Sequence, residues 1–465
     1  MATSRRQFLQ AAAAVSIGFE GLARLLAEDV QPRGVGAAGY GPLVPDPLEM
    51  LDLPPGFTYR VISQMGQTMD DGFRVPGKPD GMAAFPGPGG KVILVRNHEL
   101  EATWRDLGPF GANNELFERL PRELAFDAGR GRRPSLGGTT TLLYDPRAQR
   151  VERQYLSLAC TEYNCAGGPT PWGTWISCEE TTARADDFYE HDHGYPFEVP
   201  GRLTDGPVRP QPLKAMGRFR REAVAVDPAS GVVYQTEDLD DGLIYRFIPK
   251  RKGELLAGGR QQALRVREAP SLDSRNWPAG EGRRPAPVIP IGQPMAVDWI
   301  DLDEVDAPND DLRKRGFAAG AACFARAEGM WHGRDAVFFA CTNGGREKLG
   351  QIWQYTPSPR EGTAGEASEP GTLELFAEPN DHSVVENADN LTVAPWGDLV
   401  VCEDGPGAQF LVGVTPAGEF YKLARNARDN SEFAGSTFAP DGRTLFVNLQ
   451  GTGLTFAITG PWRGA

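Results

Sequence analysis

The sequence predicts an all-β fold, a six-bladed β-propeller with decorating loops and short helices, and three observations lead to it. Runs with the 3.6-residue period of amphipathic helices are scarce beyond the first 30 residues. Short apolar runs bounded by Gly, Pro, Asn and Asp recur along the chain. One unit, a turn followed by an apolar run and a polar or acidic end, returns six times. Radial repetition of small sheets protects strand edges and tolerates insertions, which favours a propeller over a β-sandwich with coincidental turns.

The six repeated units differ in length but keep the order of turn, strand and polar end. In chain order they cover residues 85–99, 169–180, 227–238, 331–343, 395–404 and 440–450. Residues 243–247 and 351–355 are predicted to be partner strands that follow two of these units. Decorating loops are expected at residues 110–140, 184–214 and 255–315.

The composition restricts the partners of the chain. Its 465 residues include 62 Asp and Glu against 48 Lys and Arg, and the formal net charge is −14. This charge argues against nucleic acids and anionic membranes, because their phosphates would be repelled. A small anionic substrate requires cations gathered locally. No internal stretch reaches the roughly 18 apolar residues of a membrane-spanning helix, so no membrane span is expected.

The first residues have the features of an export signal. Paired arginines within residues 4–9 precede the apolar stretch 11–18. This pattern is similar to a twin-arginine signal, and a surface amphipathic helix is the alternative. We therefore expect residues 1–30 to be recognised by the twin-arginine export machinery. Residues 31–465 are then a single domain, expected to be a monomer that is periplasmic or secreted.

The six cysteines are too few for a disulfide framework in a chain of this length. Cys178, Cys341 and Cys402 lie in apolar runs and are predicted to be small buried side chains. Cys160 and Cys165 lie in a loop-like stretch. The sequence has no C-x-x-C pair and no H-E-x-x-H motif, which disfavours a zinc site.

The acidic strand ends are the strongest functional signal that the residues themselves provide. Equivalent positions of successive propeller blades face one central channel, so these ends are expected to converge there. Carboxylates that share a site raise one another's pKa or bind cations. Abundant oxygen ligands and only five histidines favour Ca²⁺, with iron or Mg²⁺ beside it. The alternative is that each acid is a solvated turn residue. The converging set is Glu99, Glu179, Glu180, Glu237, Asp238, Asn343, Glu403, Asp404 and Asn448.

One stretch resembles a known family. Residues 164–180 read N-C-A-G-G-P-T-P-W-G-T-W-I-S-C-E-E, and this run is similar to N-C-A-G-G-x-T-P-W-G-T-W-x-x-C-E-E of PhoX-type alkaline phosphatases. Further matching segments cover most of the chain beyond the signal. They are residues 97–99, 217–219, 222–223, 234–238, 324–329, 389–391, 402–404, 431–435 and 440–450.

This resemblance implies an exported phosphatase that hydrolyses phosphate monoesters, with diesters as a further class. Its active site would contain Fe³⁺ and Ca²⁺ with a bridging oxo or hydroxide as the nucleophile. The resemblance assigns Cys165 to iron and Arg326 to the phosphate group, where it is the expected catalytic and substrate-binding residue. The carboxylate ligands that it implies are Glu179, Glu180, Glu222, Glu237, Glu328, Asp389, Asp404 and Glu432.

Some features leave alternatives open. Arg221 stands where many relatives have His, and this either alters the electrostatics of the site or is a surface exchange. His98 is expected to be a hydrogen-bonded structural residue, as are His332 and His382, whereas His191 and His193 are expected at the surface. The alternative functions are a calcium-dependent propeller hydrolase such as a lactonase and a non-catalytic calcium-binding propeller.

Overall fold

The computed structural model describes residues 39–280 and 288–463, so the predicted signal segment, residues 1–30, lies outside the described residues. The described part is almost entirely β-structure. Its one α-helix is α1 (Leu312–Ala318), and no helix in this part is long and apolar enough to cross a membrane. The short 3₁₀-helices are Pro88–Gly90, Arg105–Leu107, Phe117–Arg119, Arg122–Leu124, Gly129–Gly131, Lys214–Met216, Leu255–Ala257 and Glu366–Ser368.

The strands are joined by connections of very different length, the longest of which runs from β4 to β5. In chain order they are β1 (Leu51–Asp52), β2 (Thr58–Gln64), β3 (Pro79–Pro86), β4 (Val92–His98), β5 (Gly137–Asp145), β6 (Arg150–Thr161), β7 (Asn164–Pro169), β8 (Thr174–Glu179), β9 (Pro196–Pro200), β10 (Arg221–Val226), β11 (Val233–Glu237), β12 (Gly242–Pro249), β13 (Gly259–Val266), β14 (Met295–Asp301), β15 (Cys323–Phe324), β16 (Ala327–His332), β17 (Val337–Cys341), β18 (Gln351–Thr356), β19 (Thr372–Ala377), β20 (Ala388–Val393), β21 (Leu399–Glu403), β22 (Phe410–Val414), β23 (Phe420–Asn426), β24 (Phe433–Phe438), β25 (Thr444–Leu449) and β26 (Leu454–Thr459).

The described strands form five antiparallel sheets. Two sheets are consecutive meanders, β3 to β6 and β7 to β9. Two others combine early and late strands, because β2 pairs with β26 beside β25 and β24, and β1 pairs with β23 beside β22, β21 and β20. The largest sheet contains ten strands and runs from β10 through β14 to β19 and back to β16, with β15 paired to β12.

The strands β3, β7, β10, β16, β20 and β24 contact one another in a closed ring at the inside of the molecule. This arrangement is propeller-like and confirms the all-β class. The described part has five sheets, however, and not six separate ones as predicted. The reason is β14, which pairs with β13 on one side and with β19 on the other and so joins two meanders. This strand lies within residues 255–315, which were expected to be a loop.

Apolar side chains fill the space between neighbouring sheets. In the largest core, Phe324 contacts Phe339 and Trp353 edge-on, and all three are fully buried. The predicted burial of Cys178, Cys341 and Cys402 is confirmed, each being 0% exposed. All six cysteines lie in the described part and none forms a disulfide there, as expected.

Candidate metal centre

Each strand of the inner ring contains a β-bulge near its start. The bulges lie between Pro79/Met82, Asn164/Gly167, Arg221/Val224, Ala327/Met330, Ala388/Leu391 and Ala434/Thr437. A bulge places an extra residue opposite the partner strand and redirects side chains locally. The first residue of each bulge is therefore equivalent in all six strands. We call these the bulge residues, and they are Asp80, Cys165, Glu222, Glu328, Asp389 and Gly435.

Each inner strand pairs with the strand that follows it in its sheet, and the residue directly after that partner strand also occupies an equivalent position in all six repeats. The backbone N–H of this residue donates to the carbonyl of the residue just before the inner strand, over 2.9–3.2 Å. We call the accepting residues the pre-bulge residues, and all six are half-buried. The donor and acceptor pairs are Glu99 and Lys78, Glu180 and Tyr163, Asp238 and Arg220, Thr342 and Arg326, Asp404 and Asn387, and Gln450 and Glu432.

These repeated positions bring acids and one thiol together. Four groups of three potential ligand atoms each lie within 4.8 Å of one another, and neighbouring groups share Cys165, Glu222 or Asp389. The groups therefore form one continuous cluster, which we call the carboxylate–cysteine cluster. Its members are Asp80, Glu99, Cys165, Glu180, Glu222, Glu328, Asp389, Asp404 and Glu432.

Seven of the predicted ligands lie in this cluster, and two do not. Among the described residues, Glu179 and Glu237 lie outside it. Each is the last residue of its strand, β8 or β11, and the acid that follows it is Glu180 or Asp238. Because successive side chains of a strand point to opposite faces, only one acid of an adjacent pair can face the ring interior. The seven are Cys165, Glu180, Glu222, Glu328, Asp389, Asp404 and Glu432.

The excluded acids bind protein groups instead. Glu179 accepts a hydrogen bond from His193 at 2.7 Å and from the backbone N–H of Gly194 at 2.8 Å. Glu237 accepts one from the hydroxyl of Tyr245 at 2.7 Å. These contacts satisfy the carboxylate of Glu179, whereas Glu237 Oε1 has no hydrogen-bond partner among the described residues and lies 3.9 Å from Arg313 Nη1.

Two cluster members were absent from the predicted ligand set. Glu99 was expected among the converging acids, but Asp80 was missed altogether. Asp80 lies at the bulge of β3, equivalent to Cys165 in β7. The repeated sequence units were recognised by their acidic ends, which follow strands such as β4 and β8. Asp80 and Cys165 lie instead at the starts of the inner-ring strands β3 and β7. An alignment of these starts would have placed Asp80 beside Cys165.

Burial and mutual repulsion perturb the cluster strongly. Burial is the main cause that raises the pKa of Asp80 to about 6. Burial and then the charge of Asp80 raise the pKa of Glu99 to about 8. The same two causes raise the pKa of the Cys165 thiol, whose Sγ donates to Glu222 Oε1 at 3.3 Å. Without a cation beside them, these three side chains therefore keep their protons to a higher pH than the same side chains do in water.

The donor set fits metal ions. Glu222 Oε2 is buried and has no hydrogen-bond partner among the described residues, so it is free to bind a cation. Eight of the nine cluster residues offer carboxylate oxygens, the ligands that hard cations prefer. Cys165 offers the single soft donor, which suits a transition metal. The length of the cluster provides ligands for more than one ion.

Arg326 lies at the edge of the cluster as a pre-bulge residue. Its Nε donates to Asp238 Oδ1 at 2.8 Å and its Nη2 to Glu328 Oε1 at 2.6 Å. Burial lowers its pKa, but the carboxylates of Glu328 and Asp238 outweigh that effect and raise the pKa. The side chain is 33% exposed. A permanently charged guanidinium thus faces solvent beside the candidate metal ligands.

Arg221 is fully buried, so the interpretation of a surface exchange is wrong. Its Nη2 donates to the carbonyls of Met216 and Gly217 at 2.8 and 2.7 Å, and its Nε donates to Gln235 at 2.8 Å. The guanidinium lies 4.0 Å from the ring centroid of Phe219. Arg221 therefore ties the loop before β10 to the strand that carries Glu222.

The histidines divide between confirmed and wrong predictions. His98 is buried and bonds the carbonyl of Gly77 and the hydroxyl of Thr140, both at 2.9 Å, which confirms a structural role. His193 is 0% exposed, so its expected surface position is wrong. It lies between Glu179, at 2.7 Å, and Asp127, at 3.3 Å. Burial lowers the pKa of His193, but the two carboxylates outweigh burial and raise it to about 10.

Comparisons with known proteins identify the family of the chain and support its fold. A sequence profile of the family described as alkaline phosphatase PhoX matches residues 38–141 and 119–453. The chain is similar to Pseudomonas fluorescens PhoX in complex with vanadate, a transition state analogue, with a TM-score of 0.64 and 19% identity over 89% of this chain and 96% of that chain. It is also similar to a gluconolactonase from Xanthomonas campestris, with a TM-score of 0.40 and 10% identity over 88% of this chain and 99% of that chain. No curated protein sequence matches. Because the profile covers most of the chain, this protein belongs to the alkaline phosphatase PhoX family.

Proposed function

We propose that the protein is a metal-dependent alkaline phosphatase that hydrolyses phosphate monoesters, with diesters as a further class. The observation that carries this proposal is the carboxylate–cysteine cluster with Arg326 at its edge. Family membership supports it. The P. fluorescens relative binds vanadate, described as a transition state analogue, which supports a phosphoryl group as the ligand of this site.

We propose Ca²⁺ and Fe³⁺ as the cofactors and the nine cluster residues as their ligands. Carboxylate oxygens suit Ca²⁺, and the thiolate of Cys165 suits iron. When bound, these ions neutralise phosphoryl oxygens and activate water for attack on phosphorus.

The side chains of this protein position the substrate. Arg326 donates to the non-bridging oxygens of the phosphoryl group, since its charge persists at alkaline pH. Asp238 and Glu328 hold the guanidinium in place through the hydrogen bonds described above. Arg326 thereby stabilises charge that develops in the transition state.

We also propose that the fold is a six-bladed propeller within a single domain of residues 31–465. The ten-stranded sheet then counts as two blades joined by β14. The six equivalent bulges in the inner ring support this count. Residues 1–30 are proposed to direct export by the twin-arginine machinery, which would place the protein in the periplasm or outside the cell as a monomer.

The test measures hydrolysis and metal content together. The exported protein is incubated with p-nitrophenyl phosphate at alkaline pH, with and without a calcium chelator, and is analysed for calcium and iron. We expect chelator-sensitive hydrolysis and both metals. Cys165→Ala should lose iron and activity, whereas Cys178→Ala, a buried cysteine outside the cluster, should keep both.

Two outcomes would favour other functions. Turnover of lactones but not of phosphate esters, with intact metal content in Cys165→Ala, would favour a calcium-dependent lactonase. Calcium without iron, and no turnover on a panel of esters, would favour a non-catalytic calcium-binding propeller.

A further inference from the structure

The pre-bulge residues form a set with an uneven distribution of charge. Arg326 on the β16 side is one of them, and the equivalent positions before β10 and β3 contain Arg220 and Lys78. The positions before β20 and β24 contain Asn387 and Glu432. Positive charge is therefore concentrated on the arc of the ring from β3 through β7 and β10 to β16, in which neighbouring strands contact each other.

Arg220 is less engaged by the protein than Arg326. Its Nη2 donates to Glu180 Oε1 at 2.8 Å, and its Nε has no hydrogen-bond partner in the described part of the chain. Its side chain is 39% exposed. Arg326, in contrast, binds two carboxylates through three contacts. The unpartnered Nε is itself buried, but Arg220 has one acidic partner where Arg326 has two, and the exposed part of its side chain can meet a ligand that approaches from solvent.

Lys78 continues this basic arc. It is half-buried, and its Nζ donates to Gln450 Oε1 and lies 5.9 Å from the ring centroid of Trp104. Trp104 in turn lies 6.1 Å from the ring of Tyr163, the pre-bulge residue between Lys78 and Arg220. Two cationic side chains therefore flank an aromatic pair beside the cluster.

We propose that Arg220 and Lys78 bind a second anionic group on the alcohol part of the substrate, while Arg326 binds the phosphoryl group. The preferred substrates are then phosphate monoesters whose alcohol carries a carboxylate or another phosphate. This inference rests on the proposed phosphatase function. Its physical basis is the difference between equivalent positions, because Arg326 is held at the cluster by two acids whereas Arg220 is held by one and its side chain is 39% exposed.

The experiment uses two esters that differ in one charged group, 3-phosphoglycerate and glycerol 3-phosphate. We expect the metal-loaded enzyme to have the higher kcat/KM with 3-phosphoglycerate. Arg220→Gln and Lys78→Gln should each reduce kcat/KM for this ester about tenfold more than for glycerol 3-phosphate, the loss expected for one charge-assisted hydrogen bond. Arg220→Lys should retain part of the preference, and Arg334→Gln, at an exposed position, should not change it.

Equal losses with both esters, with or without loss of metal, would overturn the proposal, because Arg220 would then act on the shared phosphoryl group or on the cluster. Calorimetric titration of the metal-loaded protein with the same two esters separates this inference from the function on which it rests. Tighter binding of 3-phosphoglycerate, reduced in Arg220→Gln, would support the inference even in the absence of hydrolysis. Equal binding of both esters would overturn it even in an active phosphatase.

Discussion

Adjacent acidic residues have different roles in this protein. Glu180 belongs to the carboxylate–cysteine cluster, whereas Glu179 binds His193 on the opposite face of the strand. The pair Glu237 and Asp238 divides in the same way, since Asp238 binds Arg326 and Glu237 binds Tyr245. The alternation of side chains along a strand therefore separates the two acids of each pair, and only one of the two faces the ring interior.

This difference predicts opposite effects of two neighbouring substitutions. Glu180→Gln should lower kcat/KM for p-nitrophenyl phosphate by at least about 100-fold through loss of metal. Glu179→Gln should keep the metal but reduce the free energy of unfolding by about 3 kcal/mol, because it leaves His193 with one carboxylate fewer. Metal analysis and urea denaturation measure the two effects. If Glu179→Gln lost the metal and Glu180→Gln kept it, the assignment of Glu180 as a metal ligand and Glu179 as a structural acid would be contradicted.

A second prediction concerns the buried guanidinium of Arg221. Arg221→Met should reduce the free energy of unfolding by about 3 kcal/mol, because buried carbonyls such as those of Met216 and Gly217 lose a donor. Arg221→Lys keeps the charge but not the fork of donors, so it should recover only part of the loss. Urea denaturation of both variants provides the measurement. Equal stability of Arg221→Met and the parent protein would refute this role.

The limits of sequence prediction are clearest for single residues. Cys165 could be predicted as a site residue because the long motif of residues 164–180 contains it, and Glu222 and Arg326 because residues 222–223 and 324–329 match the same family. His193 could not, because its burial depends on Asp127 and Glu179, which are distant in sequence. A polar segment around a histidine looks like surface until its charge partners are known.

At the scale of elements, the bulges at the starts of the inner strands position most of the side chains of the carboxylate–cysteine cluster. The bulge residue of β24 is Gly435, and the carboxylate near that strand comes from Glu432 instead. Gly435 has a φ of 62°, and a Cβ added there would lie 2.1 Å from the backbone oxygen of Asp80. The inner strands β24 and β3 therefore approach too closely for any side chain at this position.

Gly435→Ala should thus be more harmful than a glycine substitution with similar backbone strain. Gly418 provides the comparison, because its φ is +80° and nothing lies within 4 Å of an added Cβ. Gly418→Ala should cost about 1 kcal/mol, the strain of the left-handed conformation. Gly435→Ala should cost about 2 kcal/mol more through overpacking, and it should lower metal content. Thermal unfolding and metal analysis test this, and equal effects of the two changes would argue against it.

The contact of His193 with two carboxylates predicts a pH dependence. Its pKa of about 10 lies above the usual 6.5, so the folded state binds a proton more tightly than the unfolded state. The resulting stability is fully present below pH 6.5 and declines as the pH rises towards 10. His193→Gln should flatten the dependence of Tm on pH in this window. His382→Gln, at an exposed position, should leave it unchanged, and an unaltered profile in His193→Gln would contradict the prediction.

Elements were predicted unequally well. The turn, strand and acidic end of each unit are local patterns, and they led to Glu99, Glu180 and Asp404 as converging residues. Asp80 lies at the start of an inner strand, outside the acidic ends on which the repeated units were recognised, and the bulge that makes it equivalent to Cys165 is a property of the register between two strands. The sequence predicts a loop where β14 lies, because a strand whose pairing partners, β13 and β19, belong to two different meanders has no local signal of its pairing.

At the scale of the whole molecule, the ring concentrates negative charge that requires cations. The pKa values of Asp80 and Glu99, about 6 and about 8, lie above the usual range of carboxylic acids. The metal-free folded state therefore retains protons that the unfolded state has lost. Its stability should fall as the pH rises from about 4 to about 8, the interval between the usual and the raised pKa values.

Metal removal should thus destabilise the protein more at high pH. A calcium chelator should lower Tm only slightly at pH 5 and markedly at pH 8, because at pH 8 the cluster carboxylates are ionised and unpaired. Thermal unfolding at the two pH values, with and without the chelator, measures this difference. An equal decrease at both values would contradict a metal centre that is coupled to the ionisation of these acids.

The pairing of β2 with β26 determines when the molecule can be completed. The ribosome releases Thr58–Gln64 long before Leu454–Thr459, so the early strand has no partner during most of translation. The cluster residues are also synthesised over nearly the whole of translation, since the first is Asp80 and the last is Glu432. The complete set of cluster ligands is therefore available to a metal ion only after synthesis of the chain has finished.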